Sequence, residues 1–204
     1  DSPDDPRIAD YSALKERELA ADGGKFIAEG ELVARRLLAS GYPVESILVA
    51  ERKAEAIAPL APPGAAVYVA AAGVVESIIG FKFHSGVLAC GRRKPQPALA
   101  DLAAGWPADA TVVVLPEVTK LDNLGAILRI CGAFGAACVL LGPRSCDPFY
   151  RKALRVSMGA ALSLSLCTGR PLRTISASGW MPTPRRVATE CCVGLVLNSS
   201  LVPR

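Results

Sequence analysis

From position 115 to 129 the chain reads Leu-Pro-Glu-Val-Thr-Lys-Leu-Asp-Asn-Leu-Gly-Ala-Ile-Leu-Arg, and two of these residues could carry chemistry together. The amide of Asn123 and the guanidinium of Arg129 can hold a sugar hydroxyl and a phosphate, one by a directional hydrogen bond and the other by a charge-assisted fork. A plainer reading fits the same pair: an asparagine that caps a helix and an arginine that is merely solvated. Other chemistries have less to work with. His84 is the only histidine, so a zinc site or a Ser-His-Asp triad would have to rest on that one residue. Seven cysteines with no Cys-x-x-Cys pair imply neither a disulfide framework nor a zinc ribbon, but buried or free thiols in a reducing compartment. No metal is expected.

Asn123 and Arg129 need a strand and a helix to place them. Residues 110–115 are a nearly pure β run, which suits a strand buried on both faces of a parallel sheet. A helix is expected over about 124–134 and a second buried strand over 137–141, which completes one βαβ unit. Asn123 then falls where strand hands over to helix, Gly125 allows close backbone approach there, and Arg129 lies two turns in. Ligands of open α/β sheets bind beyond the carboxyl ends of the strands, where this loop lies.

The first half repeats the rhythm on a smaller scale. Strands are expected over 25–29, 44–50, 65–70 and 87–90, and helices over 8–21, 31–39 and 73–79. This gives a small α/β domain over residues 1–96, a linker over 97–108 and a second α/β domain from 109 to 168. Arg92, Arg93 and Lys94, followed by Pro95 and Pro97, form a basic and semi-rigid exit from the first domain. Across 204 residues the formal net charge is +4, a mild excess that fits a polyanionic partner without demanding one. No apolar run approaches the ~20 residues of a membrane span, and the acidic start is not a signal peptide, so a cytoplasmic location is expected.

Three segments together carry a resemblance. Asn-Leu-Gly-Ala-Ile-Leu-Arg from position 123, then Ala-Phe-Gly-Ala from 133 and a Val-Leu-Leu strand, resemble the first motif of the SpoU/TrmH RNA methyltransferases of the SPOUT class. So does Phe-Tyr-Arg-Lys-Ala-Leu-Arg-Val-Ser-Met-Gly-Ala over 149–160. In the first half, Phe-Ile-Ala-Glu-Gly over 26–30 and His-Ser-Gly over 84–86 are similar to the L30e-like RNA-binding domain that many of these enzymes carry. The resemblance implies S-adenosyl-L-methionine (AdoMet) as cofactor, methylation of a ribose 2′-hydroxyl in ribosomal or transfer RNA, a trefoil knot and a homodimer. It places Asn123 and Arg129 in the reaction. A guanidinium stays protonated at ordinary pH, so Arg129 is better suited to binding the phosphate and orienting the hydroxyl than to acting as a base. Arg92, Arg93, Lys94, Lys152 and Arg155 are the expected contacts to the RNA backbone.

The chain also departs from that family. Pro116 stands where an acidic residue usually ends the first strand, and Lys-Leu-Asp over 120–122 replaces a usual Asp-Pro. After Thr168 the two closing motifs, Leu-Gly-x-Glu-x-x-Gly and Ser-Leu-Asn-Val-x-x-Ala, are not found. In the family they build most of the AdoMet pocket, the knot and the dimer contact, so no cofactor-binding residue is assigned here. Residues 169–204 instead read as an atypical tail, frameshifted or vector-derived, which ends in Leu-Val-Pro-Arg, half of a thrombin site. The alternative function is therefore a non-catalytic RNA-binding protein that keeps the L30e-like module.

Overall fold

In the first half, period-two alternation splits each strand's side chains between two apolar faces. Lys25–Glu29 (β1), Val44–Ala50 (β2), Ala66–Ala70 (β3) and Val87–Arg92 (β4) form one sheet in the order β1-β4-β2-β3. β2 and β3 run parallel, while β4 is antiparallel to both of its neighbours. Phe26, Ala28, Ile47, Val49, Val87 and Ala89 face one side, and Ile27, Leu48, Leu88 and Cys90 face the other. Helices α1 (Glu31–Leu38) and α2 (Glu51–Ile57) bury Val33, Leu37 and Ile57 on the first side. Helix α3 (Ala72–Ile79) and a 3-10 turn, Pro6–Tyr11, cover the second with Ile8, Tyr11, Val75 and Ile78. The computed structural model describes residues 5–11, 19–20, 24–79, 84–107, 109–168 and 195–198.

The second half builds a sheet in the order β7-β6-β5-β8 from Thr111–Leu115 (β5), Cys138–Leu141 (β6), Leu166–Cys167 (β7) and Leu195–Asn198 (β8). β5, β6 and β7 are parallel, as the β-branched run of β5 leads one to expect, but β8 joins the free edge of β5 antiparallel. Helices α5 (Leu121–Ala133) and α6 (Arg151–Val156) pack on one face against Val113, Leu115, Val139 and Leu141. The other face holds Val112, Val114, Cys138, Leu140 and Cys167 beneath Leu99, Leu102 and Trp106, with Leu99 and Leu102 coming from α4 (Leu99–Ala104).

The inward faces of the two sheets share one apolar cluster, from Phe26 and Leu37 through Leu124 and Leu128 to Leu154. Burying side chains of this size contributes about 1.5–3 kcal/mol each. The two halves are thus joined by a core and not only by a tether.

Several expectations shift. The stretch 97–108 is not a bare linker, because α4 lies in it and docks on the second sheet. α5 starts at Leu121, three residues earlier than its apolar period indicates, which puts Asn123 inside the first turn. α2 and α6 carry too many charges in too few residues to announce themselves by period. The helix expected over 8–21 begins as a 3-10 turn, and residues 12–18 and 21–23 lie outside the described residues. So does most of the tail, and with it the expected trefoil knot. No described helix is long and apolar enough to cross a membrane.

Candidate active site on helix α5

Backbone bonds stitch together the loops that leave β5 and β6. Gly142 N–H donates to the Leu115 carbonyl (2.9 Å), Cys146 N–H to the Val118 carbonyl (2.7 Å), and Val118 N–H to Ser145 Oγ (3.0 Å). The start of α5 is therefore held against the carboxyl ends of both parallel strands. Lys120 is its N-cap, in extended geometry and without a side-chain cap, and the carboxylate of Asp122 sits in the first turn, where it complements the helix dipole. Gly125 sets the depth of packing. A Cβ there would come within 2.6 Å of Val156 Cβ and 3.0 Å of the Ala153 carbonyl, so glycine is what lets α5 and α6 touch.

Leu124, Gly125, Leu128 and Cys131 are buried, which turns Asn123 and Arg129 to the exposed side of α5. Six residues of helix put them about 9 Å apart along the axis and roughly 120° apart around it. Only the long arginine side chain could close that gap over a bound group. Among the described residues neither side chain has a hydrogen-bond or ion-pair partner.

The five other predicted cations are all engaged. Arg92 Nε meets Glu45 (2.6 Å) and Lys152 Nζ meets Asp122 (2.5 Å). Arg93 bonds Asp147 (2.7 Å) and lies 5.0 Å over the Phe149 ring, while Lys94 Nζ sits 5.0 Å over the Tyr42 ring. Arg155 reaches Glu29 at 3.3 Å, and Arg151 reaches the other oxygen of the same carboxylate at 3.3 Å. Arg93 and Lys94 are thus part of a joint between the domains, next to a cluster of Phe26, Tyr42 and Phe149 rings with centroids 5.1–5.8 Å apart. Exposed ion pairs contribute about 0–1 kcal/mol, so Lys152 can exchange its exposed partner Asp122 for a phosphate at little cost, whereas Arg155 is tied to the buried carboxylate of Glu29.

Sequence reasoning missed Glu29, Asp147, Phe149 and Arg151 as joint residues. For Glu29 a signal existed: a carboxylate at the end of the buried run Phe-Ile-Ala needs a partner. Its side chain is 10% exposed and has two. On the far side of this joint, Arg36 Nη1 donates to the Met158 carbonyl (2.6 Å), next to two successive left-handed residues, Met158 (φ 54°) and Gly159 (φ 82°).

Among the described cysteines, Cys90 and Cys138 are held in the thiol form by their surroundings. Burial pushes Cys90 up to about 12, and a hydrogen bond with Cys167 together with burial pushes Cys138 well above the usual thiol range. All five described cysteines are free.

The fold and the bare edge of α5 define an α/β domain of the kind found in known methyltransferases. The chain superposes on an AdoMet-bound rRNA methyltransferase from Sinorhizobium meliloti with a TM-score of 0.69 at 22% identity, covering 86% of this chain and 66% of that one. The SpoU methyltransferase AviRb from Streptomyces viridochromogenes, solved with AdoMet, gives 0.69 at 18% identity over the same shares. Residues 110–178 match the model of the SpoU rRNA Methylase family. That match runs ten residues into the stretch read as an atypical tail. Over 165 residues the chain is 41% identical to an uncharacterized tRNA/rRNA methyltransferase of Mycobacterium bovis, covering 78% of this chain. It spans 56% of that relative's length.

Proposed function

We infer that the chain serves AdoMet-dependent methylation of a ribose 2′-hydroxyl in ribosomal or transfer RNA, most naturally as a homodimer. The observation that carries this reading is Arg129. It is exposed and unpaired among the described residues, on the helix that bears the family's first motif, while its neighbouring cations are spent on carboxylates and rings. AdoMet, when bound, supplies a methyl group already activated on a sulfonium, so no metal is required. Arg129 binds the phosphate beside the target ribose, and Asn123 accepts from or donates to its hydroxyl; together they fix the angle of attack. What the described residues offer a cofactor is backbone at the strand ends, between Pro116 and Lys120 and between Gly142 and Asp147. No ligand of the cofactor is assigned to a named side chain.

The test is transfer of labelled methyl from AdoMet to total RNA by the wild type and by Arg129→Ala. Loss in the variant supports the assignment, and equal incorporation removes Arg129 from the mechanism. A second reading is RNA binding without catalysis. Calorimetry with AdoMet separates the two readings, since the first predicts binding and the second none.

A further inference from the structure

One end of the first sheet and the neighbouring helices of the second domain form a continuous charged surface. Gly30 N–H donates to the Val87 carbonyl (3.0 Å) and Ala50 N–H to the Gly86 carbonyl (2.9 Å), so the ends of β1 and β2 lie beside the turn at Ser85 and Gly86. Arg52 closes over that turn through a bond from Nη2 to the His84 carbonyl (3.0 Å). A Cβ on Gly86 would stand 3.2 Å from both Arg52 Nη2 and Lys53 Cδ. Lys53 also reaches Glu31 (2.5 Å), which Arg35 shares at 3.0 Å. Next along β1 is Glu29, held by Arg151 and Arg155 of α6, and then comes Lys152 on Asp122, the residue before Asn123.

The pairs of Glu29 with Arg151 and Arg155 carry this series across the boundary between the two domains. It holds six cations, Arg35, Arg52, Lys53, Arg151, Lys152 and Arg155, five of which pair with the carboxylates of Glu29, Glu31 and Asp122. The opposite end of β1 is different. There Phe26 packs in the aromatic cluster with Tyr42 and Phe149, and Arg93 is half-buried against Phe149 and Asp147.

We propose that this seam is an RNA track. The backbone of the RNA whose ribose lies at Asn123 and Arg129 runs over Lys152 and Arg155, crosses at Glu29 and ends on Arg52 and Lys53. The idea rests on the RNA reading above and extends it in two ways. It adds Arg52 and Lys53 as RNA contacts, and it gives Glu29 a positioning role. One carboxylate gripping two arginines keeps both halves of the track in register, and the shared apolar core beneath makes that register rigid. Phosphates replace exposed carboxylate partners at low cost, because such pairs contribute about 0–1 kcal/mol.

Ultraviolet cross-linking of the full chain to a pool of 30-nucleotide ribosomal RNA fragments, followed by peptide mass spectrometry, tests the track. Cross-linked peptides should come from both sides of the seam, around 51–53 or 84–86 and around 151–155. Cross-links confined to the second domain, or placed at the β3 edge around Tyr68, overturn the track while leaving RNA binding intact. No cross-link at all overturns the RNA reading and the track with it. In parallel, Arg52→Ala and Lys152→Ala should each lower affinity about three- to tenfold and reduce the salt slope of binding by about one. Unchanged slopes in both variants would also sink the proposal.

Discussion

Helices α5 and α6 lie against each other and use their polar residues in opposite ways. On α6, Arg151 and Arg155 share Glu29 and Lys152 holds Asp122, so every cation of the helix is engaged by the protein itself. On α5, the buried side is as tightly packed, yet Asn123 and Arg129 point outward without partners among the described residues, and Ile130 and Phe134 are 57% and 84% exposed. The same fold thus contains a helix that works as a joint and a helix with one face held open. A polar group whose hydrogen-bonding capacity is filled internally fixes geometry; one left unfilled is available to a ligand.

The sharpest way to test that contrast is to remove the free cation. Arg129→Ala should leave thermal stability within about 0.5 kcal/mol of wild type, as expected for a solvent-facing side chain without partners. Methyl incorporation into RNA should fall by about 10²–10³, the range for losing one donor aimed at a reacting centre. A large stability loss would mean that Arg129 is a structural residue after all, and the distinction between the helices would collapse.

Forcing the two helices apart should have the next largest effect. Gly125→Val adds atoms where even a Cβ would meet Val156 at 2.6 Å. Overpacking of this kind costs about 1–3 kcal/mol, which a denaturant titration would register as a lower midpoint. Activity should fall further than stability, because α5 would move relative to the strand ends. A variant as stable as wild type would show that α5 is not seated by this contact.

Glu29→Gln acts on the joint alone. It keeps the shape of the side chain but leaves Arg151 and Arg155 without their shared charge. A loss of about 1–2 kcal/mol is expected, at the low end for a broken buried pair because Arg155 is 57% exposed. Calorimetric melting checks it. An unshifted melt would assign the joint wholly to the apolar cluster around Leu37, Leu124 and Leu154.

The contrast between the helices was only half legible in the sequence. The strands could be read because Val-Val-Val-Leu and Ile-Leu-Val-Ala are runs that suit a doubly covered sheet, and β5 and β2 fall where those runs place them. Asn123 and Arg129 could be read because their spacing recurs in a family motif. The joint could not. Arg-Lys-Ala-Leu-Arg-Val looks like any solvated turn of helix until Glu29, more than a hundred residues away, is brought beside it. Long-range pairing of this kind leaves no local period. For the same reason Arg93 and Lys94 looked like an open basic exit, whereas Phe149 and Tyr42 supply ring faces that cover them.

The smallest effect is expected at Phe134, and a second phenylalanine supplies the contrast. Phe134 ends α5 and is 84% exposed, whereas Phe26 on β1 is 3% exposed and packs against the Tyr42 and Phe149 rings. Phe26→Ala removes a side chain that the joint encloses and should cost about 3–5 kcal/mol. Phe134→Ser removes one that already faces water in the folded chain, so folded and unfolded states lose nearly the same interaction and the change should stay within about 0.5 kcal/mol. Chemical denaturation of the two variants side by side measures the difference directly. A Phe134→Ser loss approaching that of Phe26→Ala would mean that α5 is packed in solution around Phe134, and exposure in the free chain would no longer argue that Asn123 and Arg129 are open to a ligand.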